Sequence, residues 1–240
     1  MSKLNSTWTV QPHGPLEVVD EGLLSAEGSI VMPLGSFPRR MTVVALRGGG
    51  TAVWSAIPLA EPEMAKIEAL GPVRFLIVPN AHHRLDIGPW AKRYPGAEVI
   101  APPRAEAAVR EAAPVSASSD IVKEHALHLE LVPGLKEDEF ALTVHRRDGA
   151  TLILNDILAH VRHPKGIGAK IMARVFGFGV KRPRTARTVR RMMVADGDAV
   201  AAKFRMWAFI PDLQRIIVSH GDIITEQPKA ALLRAADDYI

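Results

Sequence analysis

Three short apolar runs in this sequence are each followed, within a few residues, by side chains of types that bind metal ions. Residues 75–78 lead to His82 and His83, residues 152–154 lead to Asp156, and residues 216–218 lead to His220. Apolar runs of this kind, without in-out alternation, are typical of strands covered on both faces by helices. Ligands of open α/β sheets collect beyond the carboxyl ends of the strands. The runs therefore predict an α/β fold in which these side chains meet in one crevice.

The remaining pattern predicts both parallel and antiparallel pairing. A glycine turn at 48–50 joins two β-rich runs, and Asp148 and Gly149 form the strongest hairpin signal in the chain. Between these hairpins, helical spacing and short strands alternate. Residues 200–210 fit either a buried helix or a strand, and 227–239 fit a terminal amphipathic helix. Residues 166–179 fit a helix followed by a loop, and we expect the loops within 24–40 and 166–184 to line the crevice.

Composition limits the class of protein and the ligands that a metal could use. With 240 residues, 48% of them hydrophobic, the chain can bury a large core as one sizeable domain or as two small ones. Nothing in the sequence requires a second domain, so we predict a single domain over 1–240. The absence of cysteine leaves His, Asp and Glu as metal ligands. No signal-peptide pattern and no apolar run of membrane-spanning length occur, which predicts a cytoplasmic protein without a membrane span. The G-x-S-x-G motif of serine hydrolases does not occur either.

The positive charge is concentrated near residue 185. The formal net charge is +4, and six basic residues cluster there: Lys181, Arg182, Arg184, Arg187, Arg190 and Arg191. The cluster could bind an anion, although a solvated helix is the plainer interpretation. Few aromatic residues lie among these arginines, which does not favour a nucleic-acid partner. The neighbouring apolar stretch at 171–178 suits a homodimer interface, a lid or ordinary core.

The order of motifs resembles the metallo-β-lactamase fold superfamily over roughly residues 42–224. The resemblance is carried by four segments, at 80–88 (NAHHRLDIG), 132–135 (VPGL), 154–156 (LND) and 219–222 (SHGD). It implies an αββα sandwich of two mixed sheets flanked by helices. In particular, the chain resembles a branch in which an Asn-x-x-His-like segment replaces the usual H-x-H-x-D-H, and membership of that branch implies no particular reaction.

The first of these segments departs from the motif in either register. With His82 on the second histidine, Asn80, Arg84 and Leu85 replace the other three positions. With His82 on the first histidine, Asp86 fits the aspartate, but Arg84 and Ile87 replace the remaining histidines. The resemblance therefore implies a degenerate motif.

The later segments keep part of the ligand set. Leu135 stands where the family has a histidine after Pro-Gly, whereas Asp156 and His220 match the bridging aspartate and the last histidine. An arginine at the place of a metal-bound aspartate repels a second cation. We therefore predict at most one metal ion.

Three interpretations stay open, and with them whether the protein is an enzyme. The first is a metal-dependent hydrolase with one divalent ion (zinc, iron or manganese), held by His82 or His83 with Asp156 and His220. Asp156, His220 and Arg84 would then be the catalytic residues, with Arg84 binding an anionic group of a small-molecule substrate. The second is a metal-free protein that keeps the fold and binds a ligand or partner. The third is a structural or nucleic-acid role for the basic cluster.

Overall fold

The structure, a computed structural model, describes residues 4–32, 35–116, 126–164 and 167–239. Its contacts divide the chain into two compact units. The first comprises Met1–Gly28 and Arg40–Ala126, and the second comprises Ser29–Arg39 and Leu127–Ile240. The prediction that all 240 residues form a single domain stays a prediction.

A six-stranded sheet contains most of the first unit's strands, in the same order in space as in sequence. Strands β3 and β4 are antiparallel, whereas β4, β5 and β6 are parallel. The hairpin turn requires glycine at Gly50, which has φ of +85° and whose Cβ would lie 2.6 Å from the Pro72 carbonyl oxygen. The strands are β1 (Glu17–Asp20), β2 (Leu23–Met32), β3 (Gly35–Ala45), β4 (Thr51–Trp54), β5 (Val73–Ile77) and β6 (Glu98–Ile100).

The first unit's helices are α1 (Glu61–Glu68), α2 (Ile87–Arg93) and α3 (Glu106–Arg110), the last preceded by a 3-10 turn at Pro103–Ala105. Proline in the first turn of α1 suits a helix start, because that backbone nitrogen has no partner within the helix. Met64, Ile67, Leu76 and Trp90 are fully buried in one core. The non-alternating run in β5 is thus buried, as its sequence predicted.

A four-stranded sheet forms the centre of the second unit, in the order β10-β9-β8-β7. Strands β8 and β9 form the hairpin predicted from Asp148 and Gly149, and β10 lies parallel to β9 with Val218 beside Leu154. This register brings the residues after the two strands to the same edge. The strands are β7 (Leu127–Leu131), β8 (Phe140–Arg146), β9 (Gly149–Leu154) and β10 (Leu213–Val218).

The second unit's helices are α4 (Ile167–Phe176), α5 (Arg187–Met193), α6 (Gly197–Ala208) and α7 (Pro228–Ala236), followed by a 3-10 turn at Asp237–Tyr239. The segment that fitted either helix or strand is helical in α6. Its first turn is capped by the Asp196 carboxylate, which accepts from the Ala199 N–H at 3.1 Å. Phe204, Leu232 and Ile216 belong to one core.

One region differs from the sequence prediction. Residues 24–40, expected to be a loop, belong mostly to β2 and β3. Glycine and proline at 28, 33, 35 and 38 are typical of loops and obscured the strand pattern. Residue 166, at the start of the other segment expected to line the crevice, lies outside the described residues, and the helix expected after it is α4. Among the helices that the structure describes, none is long and apolar enough to cross a membrane.

Candidate metal centre

Asp156 and His220 come together at the carboxyl ends of β9 and β10. The parallel pairing of these strands ends at Leu154 and Val218, and each donor follows two residues later. The His220 Nε2 atom lies 2.9 Å from Asp156 Oδ1, and the two side chains are only 15% and 12% exposed. The structure thus confirms that the sheet brings these two predicted residues into contact.

The other ring nitrogen determines the protonation of His220. Nδ1 lies 2.8 Å from the Pro38 carbonyl oxygen. A carbonyl oxygen only accepts, so Nδ1 carries a hydrogen. When Asp156 is ionised, the Nε2 contact also requires a proton, which makes the ring an imidazolium. Burial alone lowers the pKa of His220, but the hydrogen bond and charge of Asp156, with the Pro38 carbonyl, outweigh it and raise the pKa.

This arrangement fits a divalent metal ion. A histidine that binds a metal through one nitrogen commonly donates its other N–H to a backbone carbonyl, which fixes the tautomer and the ring orientation. Pro38 does this for Nδ1, so Nε2 is the nitrogen left for a metal. A carboxylate oxygen and a neutral imidazole nitrogen are suitable donors for zinc, iron and manganese. A metal would therefore replace the proton shared by His220 and Asp156.

A buried carboxylate supports the loop that holds Asp156. Glu139 has no exposed surface. Its two carboxylate oxygens accept from the backbone N–H groups of Asp156, at 3.3 Å, and Ile157, at 3.1 Å. Nothing in the sequence singled out this residue, because it ends an acidic run at 137–139 that looks like a solvated turn.

The His220 loop is fixed by backbone contacts with His160. The His160 N–H donates to the His220 carbonyl oxygen at 2.9 Å. Gly221, with φ of +109°, passes so close that a Cβ would lie 2.1 Å from the His160 carbonyl oxygen. Only glycine fits there, so the loop has a single path past His160.

In the first unit, a short turn after β5 presents His82 and His83. The fully buried Asn80 accepts through Oδ1 from the N–H groups of His82, at 2.9 Å, and His83, at 3.3 Å. Asn80 thus closes the turn, a role that is common for asparagine. The His82 side chain is exposed, whereas His83 is half-buried.

Ser55, which sequence reasoning missed, holds the His83 ring. Its Oγ lies 2.8 Å from His83 Nδ1. Ser55 follows β4 in the left-handed region, with φ of 54°, and its N–H donates to the Ile77 carbonyl oxygen at 3.0 Å. Positive φ strains the backbone of a residue other than glycine, and such strained residues cluster at functional sites. That conformation is the signal that marks Ser55, and it appears only in the structure.

Three further positions that the resemblance aligned with family ligands have structural contacts. Arg84 is buried, and its Nη1 donates to the Ala108 carbonyl oxygen and, at 2.7 Å, to the Glu111 carboxylate. Asp86 is buried before α2 and accepts from Asn5 Nδ2 at 2.7 Å. Leu135 lies in the apolar core of the second unit, so it supplies no ligand. The assignment of Arg84 to anion binding stays a prediction.

Solved structures that are similar to this chain include metallo-β-lactamases. The enzyme from Hirschia baltica matches with 16% identity and a TM-score of 0.58, over 93% of this chain and 98% of the other. One from Erythrobacter litoralis matches with 16% identity and a TM-score of 0.61, over 93% and 96%. FIM-1 from Pseudomonas aeruginosa, solved in a mono-zinc form, matches with 14% identity and a TM-score of 0.59, over 97% and 98%. The chain has the metallo-β-lactamase fold.

The metallo-β-lactamase fold confirms the resemblance found in the sequence and the α/β class with two mixed sheets. No protein-family model and no curated protein matches the chain. Identities of 10–16% show the fold and carry no reaction with it. The metal ligands and catalytic residues therefore stay predictions.

A pocket of about 440 Å³ in the first unit is not part of this centre. It is lined by Gly71, Pro72 and Val73, at the start of β5, with Arg93 and Tyr94. His82 and His83 instead follow the end of that strand. The Arg93 guanidinium is already bound to the carboxylates of Glu61 and Glu68. The pocket thus has a structural ion-pair network rather than a set of open donors.

Proposed function

We propose that the protein is a metal-dependent hydrolase that binds one divalent ion (zinc, iron or manganese). Asp156 and His220 are two of its ligands, and a histidine of the 82–83 pair is the third. The observation that carries the proposal is the 2.9 Å contact between His220 Nε2 and Asp156 Oδ1, with Nδ1 donating to the Pro38 carbonyl. This contact supplies two donors, with the imidazole tautomer that suits a metal ion.

One ion fits the remaining residues better than two. Leu135 replaces a histidine and lies in an apolar core. Arg84, where the resemblance has a metal-bound aspartate, is paired with the Glu111 carboxylate and supplies no ligand. A second divalent cation would therefore lack donors to hold it.

The residues have distinct roles in this proposal. A bound divalent ion supplies Lewis acidity, which lets water act as the nucleophile of hydrolysis near neutral pH. His220 is held in one tautomer by Pro38, and Asp156 is held through its backbone by Glu139. Ser55 orients the His83 ring. On the sequence prediction, Arg84 binds an anionic group of a small-molecule substrate.

A metal-free protein that binds a ligand or partner is the second candidate. One observation favours it: the His220 and Asp156 contact is complete with a proton alone, as an ordinary imidazolium-carboxylate pair. Such pairs also serve as structural elements, so the fold could persist without hydrolysis. Homodimerisation remains a prediction under either candidate.

Elemental content separates the two candidates. Untagged protein would be analysed by plasma mass spectrometry beside His220→Ala and Asp156→Ala, with the exposed His145→Ala as the matched control. We expect near-stoichiometric zinc, iron or manganese in the wild type and His145→Ala, and its loss in the other two. Esters, lactones and phosphodiesters would then be screened as substrates. Absence of metal after reconstitution would exclude the hydrolase and leave the metal-free candidate.

A further inference from the structure

The chain's charge is divided unevenly along its length. Residues 157–195 hold ten Lys and Arg and no Asp or Glu, whereas all other residues together hold 20 Lys and Arg against 26 Asp and Glu. The modest net charge of +4 therefore conceals a strongly basic segment in an acidic remainder. A field of one sign over one region attracts partners of the opposite charge.

Only part of this basic segment has an internal structural use. Arg182 and Arg184 bind the Asp238 carboxylate, and Arg190 donates to the Asp238 backbone carbonyl. These contacts attach the segment to the end of α7. Besides Arg190, the exposed cations on and beside α4 and α5 include Lys170, Arg174, Lys181, Arg187 and Arg191.

Large apolar side chains are exposed among these cations. Ile171 is 59% exposed and Val175 is 56% exposed, four residues apart and hence on one face of α4. Met192, on α5, is 71% exposed. We name the five cations and these three apolar side chains the α4–α5 surface.

The α4–α5 surface is attached firmly to its unit. Arg187 Nη1 lies 3.5 Å from the Val175 carbonyl oxygen, which places the start of α5 beside the end of α4. Phe176 and Phe178 pack against Phe37 and Val161 in a small apolar cluster. Phe176 and Phe178 thus pack into the unit, whereas Ile171 and Val175 face solvent.

We propose that the α4–α5 surface binds peripherally to a lipid bilayer that contains anionic lipids. An amphipathic helix with aliphatic residues on one side and flanking Lys and Arg lies in the interface between headgroups and acyl chains. Ile171, Val175 and Met192 would enter the bilayer surface, and the cations would bind the lipid headgroups. Nucleic acid fits less well, because the exposed side chains between the cations are aliphatic and cannot stack on bases.

Vesicle sedimentation tests this proposal. The full chain would be mixed with vesicles of phosphatidylcholine alone or with 30% phosphatidylglycerol, at low and high salt. We expect binding only to the anionic vesicles, with weaker binding at high salt because the charges are screened. Equal binding to both vesicle types, or to neither, would overturn the proposal.

Two variants separate the apolar and the electrostatic contributions. The triple variant Lys170→Gln, Arg174→Gln, Lys181→Gln removes three charges and should lower the partition coefficient on the order of 100-fold. The double variant Ile171→Ser, Val175→Ser keeps every charge and should weaken binding on the order of 10-fold. All five side chains are exposed, so the variants should unfold at the wild-type temperature.

Matched controls make comparable substitutions at exposed residues outside the α4–α5 surface. Arg104→Gln, Lys229→Gln, Arg234→Gln removes three exposed cations outside the segment, and Met206→Ser, Phe209→Ser removes two exposed apolar side chains from the end of α6. Both controls should bind anionic vesicles like the wild type. The proposal fails if the control variants weaken vesicle binding as much as the test variants do. It also fails if the protein binds duplex DNA and not vesicles. A third contradicting result is a protein that does not bind vesicles and forms, by light scattering, a dimer that the double variant dissociates.

Discussion

The residues that follow the strands make different contacts in the two units. After β5 in the first unit, the Asn80 side chain accepts from backbone N–H groups of its own turn. The Arg84 side chain donates to a backbone carbonyl oxygen of α3. After β9 and β10 in the second unit, Asp156 and His220 bind each other. The first arrangement builds a turn, whereas the second keeps a nitrogen and an oxygen donor 2.9 Å apart.

This difference shows that polar side chains at the end of a strand do not always form a ligand-binding or catalytic site. Asn80 satisfies two backbone N–H groups of its own turn, and this local use fixes the backbone rather than a ligand. The Nδ1 atom of His220 is held by the Pro38 carbonyl oxygen, and its Nε2 atom is therefore directed at the Asp156 carboxylate. Metal binding is therefore expected to depend mainly on the second unit's pair.

Removing the support of Asp156 should give the largest effect. Glu139→Ala leaves one buried and one half-buried backbone N–H group without their acceptor and should lower the free energy of unfolding by about 2–4 kcal/mol. Metal affinity should fall as well, because the Asp156 loop loses its anchor. Urea denaturation measures the first effect, and the exposed Glu137→Ala should stay within about 0.5 kcal/mol of the wild type.

Arg84 tests whether the first unit's motif residue is structural. Arg84→Ala removes a buried guanidinium and its contacts with Ala108 and Glu111, and should cost about 1–3 kcal/mol of unfolding free energy. Because Glu111 is 53% exposed, solvent screening keeps the ion pair's own share small. Metal content should be unchanged. Loss of metal with unchanged stability would instead make Arg84 part of the site.

Ser55 gives a smaller effect that separates a hydrogen bond from backbone strain. Ser55→Ala loses the hydrogen bond to His83 and keeps a side chain at positive φ, so it should cost about 1 kcal/mol. Ser55→Gly loses the same hydrogen bond but relieves the strain, so it should be more stable than Ser55→Ala. Equal stability of the two variants in urea denaturation would contradict the strain at this position.

Each unit contains one of the chain's two tyrosines, so the pH at which each tyrosine ionises can be compared between the units. Burial, together with the hydrogen bond to Glu68, raises the pKa of Tyr94 to about 12, and burial raises the pKa of Tyr239 to about 12. Since an unfolded tyrosine ionises near pH 10, the stability that these groups contribute is present below pH 10 and is lost as pH rises toward 12. Absorbance titration near 295 nm should show no ionisation until well above pH 10, and a folded-state midpoint near 10 would contradict the burial of both rings.

Much of the fold was predictable because it rests on short-range patterns. Asp148 and Gly149 predicted the β8–β9 hairpin, and the apolar runs predicted β5, β9 and β10 with the donors after them. The paired donors Asp156 and His220 followed from the parallel strands. The resemblance in the motif order predicted the fold itself.

What the sequence could not provide are contacts between distant segments. Pro38 reaches His220 from 182 residues away, and Ser55 reaches His83 from 28 residues away. Glu139 became visible only once its carboxylate was found beneath the Asp156 backbone. These supports depend on tertiary packing, which leaves no local spacing for sequence reasoning to detect.

A metal ion is expected to replace the proton between His220 and Asp156. Calorimetric titration of the chelator-treated protein with zinc at pH 7, in two buffers of different ionisation enthalpy, measures both binding and proton release. We predict one zinc per chain with release of about one proton, and no binding by His220→Ala. Absence of binding by the wild type, or unchanged binding by His220→Ala, would contradict the claim.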